Sequence, residues 1–279
     1  MALVPFKKAE EDKPALGYYE GEPPEPPEDD DALDGRMSFL DHLDELRKRL
    51  THAIVALLVG FLAAFAFAGR AQEFVMAPLM ATLPPGGQFV YTEPGEQFFL
   101  FIKIAAILGL LVASPYVMLQ VWLFVAPGLY ANEKKLAVPF VFFSTSLFIA
   151  GAAFSHYLAF PMAFQFFASF STAQVVFMPR IAPVFSMYAW LLLAMGVMFQ
   201  LPMLVMVLAR LGLVTAGCLA RNIKYAVLII FIVAAVASPG GDPVSQTVTA
   251  APMLVLYVIS IGVAWVFQKK RDKDEDDKD

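Results

Sequence analysis

The chain is punctuated by six stretches free of Asp, Glu, Lys and Arg. They run over Leu50–Gly69, Ile104–Asn132, Leu136–Pro179, Ile181–Ala209, Tyr225–Gly241 and Pro243–Gln268, with lengths of 20, 29, 44, 29, 17 and 26 residues. A helix rises about 1.5 Å per residue, so about 20 apolar residues cross a hydrocarbon core of about 30 Å. The pattern predicts six spans, at about 50–68, 98–124, 136–158, 185–208, 223–237 and 248–267. The longest stretch has room for two spans, but its second half holds Pro161, Gln165, Ser169, Ser171, Thr172 and Gln174. It reads as one span followed by a non-spanning segment over 160–175, with Met162, Phe166 and Phe170 at helical spacing. That segment is expected to lie flat on the membrane or to cap the bundle. The fifth span is short, because Tyr225–Ala237 is followed at once by Ser238-Pro239-Gly240-Gly241. Such a span thins the bilayer locally or relies on snorkelling flanks.

Ahead of the first span the periodicity changes. Phe39, Leu43, Leu46 and Leu50 form one apolar stripe, and the other faces are charged. This predicts an amphipathic helix at the membrane interface running into the first span, with Ser38 and Asp41 as its N-terminal capping pair. Glu45–Arg49 and Asp44–Lys48 are i,i+4 pairs, and local helix stabilisation is enough to explain them. Pro115 is expected to kink the second span, because its ring removes a helix hydrogen bond. Pro127-Gly128 ends that span.

Composition agrees with this reading: 59% of the residues are hydrophobic and 16% charged. An ordinary soluble domain is about 45–50% apolar and about 25% charged, so a soluble enzyme of the usual kind is excluded. The acids sit mostly in the tails. Residues 1–36 carry 11 acidic and 4 basic residues, and Glu22-Pro23-Pro24-Glu25-Pro26-Pro27-Glu28 reads as a disordered, Pro-rich acidic tail. Residues 269–279 form a second charged tail. The membrane domain, 37–268, holds only 8 acids, so each needs a reason. Lys and Arg set the orientation: 17 of 20 fall in the N-terminal arm, the 125–135 and 209–224 loops and the C-terminal tail. Both termini are therefore expected in the cytoplasm. No cleavable signal peptide is visible, and the first span is the expected insertion signal.

Catalytic signatures are missing. There is no G-x-x-x-x-G-K-[ST] phosphate loop, no H-E-x-x-H pair and no G-x-S-x-G elbow. Gly240-Gly241-Asp242 has no second intramembrane Asp to complete a dyad. His42, His52 and His156 are scattered, and the single cysteine, Cys218, allows no internal disulfide. No cofactor, metal or nucleic acid is implied. The intramembrane polar residues are Lys103, Gln120, His156 and Gln200. Such residues are expensive in lipid and are often functional, although interhelical hydrogen bonding also accounts for Gln200. Glu133 is the lone acid of its loop and has a lysine pair beside it. Asp242 is explained equally by a turn that caps the sixth span.

Taken in order, the motifs resemble the TatC family, the multispanning core of the twin-arginine protein translocase. The match begins with His42-Leu43-x-Glu45-Leu46-Arg47-x-Arg49-Leu50 and Ala77-Pro78-Leu79. It continues with Ser114-Pro115 and Gln120-Val121-Trp122-x-Phe124-x-Ala126-Pro127-x-Leu129-Tyr130-x-x-Glu133. Val138-Pro139, Phe160-Pro161 and Phe199-Gln200-Leu201-Pro202 follow. Ser238-Pro239, Asp242-Pro243-x-Ser245-Gln246 and Ala251-Pro252-Met253 close it. The resemblance covers residues 37–268.

The resemblance implies an all-α integral membrane protein, six transmembrane helices in a curved, glove-shaped bundle. It implies a receptor for signal peptides bearing two consecutive arginines, working with TatA-type and TatB-type single-span proteins and other TatC copies in the bacterial inner membrane, driven by the proton gradient. Glu45 and Glu133 match the carboxylates that hold the arginines, with Arg47, Phe124 and Tyr130 beside them. Pro78 and Asp242 match positions of the extracytoplasmic cap. Gln200 and Gln246 fall among the cap and partner-face positions, and the fifth span near Ala235 and Val236 is the suggested partner contact. His156 stands where the family has Tyr. A six-span secondary transporter or a scaffold or insertase is the alternative. The deep spans hold no acid for a proton- or cation-coupled carrier, and a scaffold needs no pair of cytoplasmic acids.

Overall fold

The computed structural model of the protein describes residues 39–83, 87–125, 137–172, 177–238 and 242–267. The described helices are α1 (Phe39–Phe65), α2 (Ala68–Met80), α3 (Glu96–Val125), α4 (Ala137–Phe154), α5 (Phe160–Ala168), α6 (Ile181–Met198), α7 (Leu201–Arg210), α8 (Ala216–Arg221), α9 (Ile223–Ala237) and α10 (Pro243–Phe267). Among the described residues the one extended pairing is a parallel bridge between Val90 and Arg180. Five helical stretches are long and apolar enough to cross a membrane: His42–Phe65, Glu96–Val125, Ala137–Ala168, Ile181–Arg210 and Pro243–Phe267. The expected fifth span is α9, an apolar helix of 15 residues.

Prolines decide where the helices depart from the sequence reading. The helix that begins at Ala137 does not stop near 158. It passes through a π-turn, Ser155–Ala159, directly into α5, so the expected surface or capping segment is a continuation of the third span as far as Ala168. The cause is Pro161, which has no N–H to give and whose ring crowds the carbonyl four residues earlier. The wider turn, in which the Phe160 N–H reaches back to the Ser155 carbonyl, lets the helix run past it. Once there, α5 buries Phe160, Ala163 and Phe164.

The predicted single span 185–208 is one stretch, Ile181–Arg210, made of two helices. After α6 ends, the Gln200 N–H bonds the Val197 carbonyl at 3.0 Å in a tight turn. Pro202 then sits in the first turn of α7, where a missing N–H breaks no intrahelical bond. By contrast α3 runs unbroken through Pro115. The Leu111 carbonyl, which Pro115 leaves without its usual donor, accepts the Ser114 hydroxyl at 2.7 Å. The 69–97 connection contains α2, a helix the charge pattern did not predict, and its Val75, Met76 and Leu79 enter the core.

Helix crossings are set by glycine. α1 packs chiefly along α3, and a Cβ on Gly60 would lie 2.6 Å from the Gly109 carbonyl oxygen. A Cβ on Gly151 would lie 2.6 Å from the Met195 oxygen, and one on Gly196 would lie 2.7 Å from the Phe148 ring. Small residues at crossings allow the close backbone contact that drives helix association where no hydrophobic force is available.

One large core gathers Leu79, Leu100, Phe160, Phe164, Phe185, Tyr188 and Met195 around the head of α6. A smaller one gathers Trp122, Phe140, Met203, Met206 and Val207, with Phe267 against it, at the opposite end. α1 begins at this second end, because His42 stacks on Phe124. The exterior is apolar: Leu62, Val112, Val236 and Trp265 are 68–71% exposed. Such a surface is a liability in water and a requirement in hydrocarbon. The α6–α7 stretch is the central span, half buried, whereas only 11% of α1's spanning window is covered.

Candidate functional site

α1 and α3 run antiparallel, as the His42–Phe124 stack and the Gly60–Gly109 crossing show. Glu45 lies one turn beyond His42, and Gln120 lies one turn before Phe124. On facing antiparallel helices both therefore fall at one level of the same seam.

Three polar residues stand there with spare capacity. Arg49 donates to Glu45 Oε1 at 3.0 Å, and the Glu45 side chain is only 13% exposed. Glu45 Oε2, Arg49 Nε and Gln120 Oε1 are buried with no hydrogen-bond partner among the described residues. A buried acceptor without a donor costs about 1–3 kcal/mol. Two such acceptors beside one charged pair form a niche for an incoming donor-rich group. A carboxylate accepts from several N–H groups at once, so Arg49 occupies one oxygen and leaves the other free.

The other predicted residues of this end are less assembled. Arg47 is exposed and two residues on from Glu45, hence turned to another face of α1. Its carbonyl accepts the Thr51 hydroxyl at 2.8 Å. Phe124 is half-buried against His42. Tyr130 and Glu133 lie outside the described residues. Asp44 and Lys48, expected as an i,i+4 pair, are both exposed, and among the described residues only Glu45–Arg49 forms in α1.

The remaining predicted residues lie elsewhere and act as separate fasteners. Asp242 Oδ2 accepts the Ser245 N–H at 2.7 Å, which caps α10 as its turn sequence suggests. Its Oδ1 is buried without a partner among the described residues. Gln246 Nε2 donates to the Phe231 carbonyl at 2.9 Å and ties α10 to α9. Gln200 Nε2 donates to the Ser144 carbonyl at 2.9 Å and ties the α6–α7 break to α4. Pro78 is half-buried inside α2.

Sequence reasoning missed a polar cluster at the opposite end. Arg180 pairs with Glu96, which is 6% exposed, and with Glu93 at 3.4 Å. Glu96 also accepts the Thr92 N–H at 3.1 Å. The bonded Glu96 carboxylate holds the Arg180 guanidinium above its ordinary range. The only sequence signal was the scarcity of acids, because the partners are 84 residues apart. His156, set in the π-turn, stacks on Phe74 at 4.8 Å, and its Nδ1 lies 3.1 Å from the Tyr188 hydroxyl. Among the described residues no group of three or more His, Cys, Asp or Glu side chains is placed to hold a metal ion.

A family model described as "Sec-independent protein translocase protein (TatC)" matches residues 41–252. A relative from Koribacter versatilis named "Sec-independent protein translocase protein TatC" is 40% identical over 86% of this chain and 89% of its own length. One of the same name from Desulforapulum autotrophicum is 39% identical over 87% and 89%. A solved structure described as "Crystal Structure of Twin Arginine Translocase Receptor- TatC" is 34% identical, with a TM-score of 0.70 over 80% of this chain and 97% of that one. Sequence and fold thus agree over most of the chain, which belongs to the TatC family of Sec-independent protein translocase proteins.

Proposed function

We propose that this chain is the signal-peptide receptor and core subunit of a twin-arginine translocase, and that Glu45 is one of the groups that hold the paired arginines. The observation that carries the reading is the free, buried Oε2 of Glu45; a buried, unpartnered Gln120 oxygen lies at the same level of α3. A guanidinium presents a planar fork of N–H donors that matches such acceptors, which a lysine ammonium does not. Arg49 holds Glu45 in place through the other oxygen. Glu133 supplies the second carboxylate and Tyr130 a neighbouring contact, while Phe124 fixes the wall through His42. Arg47, exposed on another face, meets the flanking peptide or lipid rather than the arginines.

In this reading the end carrying Glu45 faces the cytoplasm, with both termini, and the protein is a multi-pass component of the bacterial inner membrane with six spans, α9 counted as the fifth. TatA-type and TatB-type single-span proteins and further copies of the chain complete the complex, and export of folded cargo draws on the proton gradient. Pro78, Asp242, Gln200 and Gln246 shape the far side and the partner face. The role is transport, with no catalysed bond chemistry.

The test is binding of a fluorescent twin-arginine signal peptide to the purified protein. Lys-Lys substitution in the peptide, Glu45→Ala and Glu133→Ala are each expected to weaken binding by about tenfold or more, the scale of a lost hydrogen bond to a charged group. Equal binding of Arg-Arg and Lys-Lys peptides by the unchanged protein and both variants would reduce these acids to helix salt-bridge partners.

A further inference from the structure

A cleft of about 470 Å³ opens between the first turns of α3 and α6. The two helices leave that end side by side and are joined twice, by Glu96 to Arg180 and, two turns further in, by Lys103 Nζ to Ser186 Oγ at 2.9 Å. Leu100 and Phe185, at 2% and 1% exposure, form its floor. Phe99 and Pro183 stand exposed at its rim.

The depth of this cleft follows from the sequence. The predicted span begins near 98, so Lys103 stands in its opening turns, close to the hydrocarbon edge, and Glu93 and Glu96 stand at the headgroup layer. The charges are balanced but segregated. At the outer part a single Arg180 answers two carboxylates, and Glu93, 75% exposed and 3.4 Å from it, is only loosely engaged. At the inner part Lys103 meets a hydroxyl and, among the described residues, no carboxylate. The Ser186 proton already goes to the Ala182 carbonyl at 2.8 Å, so this hydroxyl aims the ammonium and leaves it two protons to give. A lysine at the hydrocarbon edge extends its ammonium toward the headgroup layer, where phosphates are its nearest anions.

We propose that this cleft is a binding site for a phospholipid with a phosphoethanolamine headgroup. The phosphate, nearest the acyl chains, rests on Lys103, the primary ammonium reaches outward past Phe99 to Glu93, and the chains descend beyond Lys103 toward the bilayer centre. The order of charge in this headgroup, negative inward and positive outward, complements the order in the cleft. A phosphoglycerol head brings no cation for Glu93, and a phosphocholine head has no N–H to donate.

The experiment is native mass spectrometry of the full chain released from bilayers of equal phosphatidylethanolamine, phosphatidylglycerol and phosphatidylcholine. Phosphatidylethanolamine is expected to be retained about tenfold over the other two. Lys103→Met should remove that retention and Lys103→Arg keep it. Glu93 is exposed, so Glu93→Gln tests the site without disturbing the fold and should abolish the preference over phosphatidylglycerol. Free O-phosphoethanolamine should not displace the lipid. Retention of phosphatidylglycerol as strong as that of phosphatidylethanolamine, no effect of Glu93→Gln, or full displacement by the free headgroup would each overturn the assignment.

Discussion

The rings of His42 and Phe124 stack at 4.5 Å with their planes 23° apart, joining the first turn of α1 to the last turn of α3. Glu45 follows His42 by one turn, so this contact sets where its free oxygen points. Stacked aromatic pairs contribute about 0.5–1.5 kcal/mol beyond their buried area. Phe124→Ala and His42→Ala are each expected to weaken twin-arginine peptide binding, and the double variant to be no worse than either single one. His42→Phe, which keeps the stack, should bind normally. A double-mutant cycle on peptide affinity checks this, and full additivity would show that the ring contact does not position Glu45.

The Gly60–Gly109 crossing makes a prediction about stability alone. A Cβ on Gly109 would meet the Phe61 nitrogen at 2.5 Å, whereas one on Gly262 meets nothing within 4 Å. Backbone atoms cannot step aside as side-chain ends do, so Gly109→Ala must push α1 away from α3. The expected cost is about 1–3 kcal/mol, the range for overpacking. Thermal unfolding in detergent should show a lower Tm for Gly109→Ala and Gly60→Ala, and no loss for Gly262→Ala.

Five of the six expected spans were legible because absence of charge is a one-dimensional signal, and lipid enforces it residue by residue. The Asp242 cap and the Glu45–Arg49 pair were legible for the same reason, since their partners lie within a turn. What sequence could not decide was the fate of each proline. Pro115, Pro161 and Pro202 look alike in the chain, yet one is passed by a serine hydroxyl, one by a π-turn and one by a helix break. The outcome depends on which carbonyl finds another donor, and tertiary packing settles that. The Glu96–Arg180 pair was invisible because only the fold brings those two loops together. The Glu45–Arg49 pair was legible in α1, but its burial was not.

Asp242 separates two kinds of role. Its Oδ2 caps α10 through the Ser245 N–H, a task asparagine performs equally well, while alanine loses about 1 kcal/mol. Its Oδ1 is buried and free among the described residues. Asp242→Ala is expected to impair export without weakening signal-peptide binding. Asp242→Asn restores export if the cap is the whole contribution, and fails if the charged Oδ1 is needed. Export of a twin-arginine reporter, measured beside peptide affinity, distinguishes these. Parallel loss of both activities in Asp242→Ala would contradict the separation of the two ends.

Arg180 stands where two loops meet. Its backbone flanks the Val90 bridge, with the Val90 N–H on the Pro179 carbonyl at 3.2 Å and the Ile181 N–H on the Val90 carbonyl at 3.0 Å. Its side chain answers Glu96, which the surrounding helices cover. Removing the cation leaves that carboxylate covered and unpaired, which is worse than having neither partner. Arg180→Gln is therefore expected to lower the Tm, and Glu96→Gln in the same chain to recover part of the loss. Arg180→Lys keeps a cation for Glu96 and should recover part of the loss. Twin-arginine peptide binding at the far end should be unchanged in all three. Unfolding curves and peptide titrations on the same preparations check both halves, and an Arg180→Gln protein as stable as the parent would show that the pair only decorates a connection held by Val90.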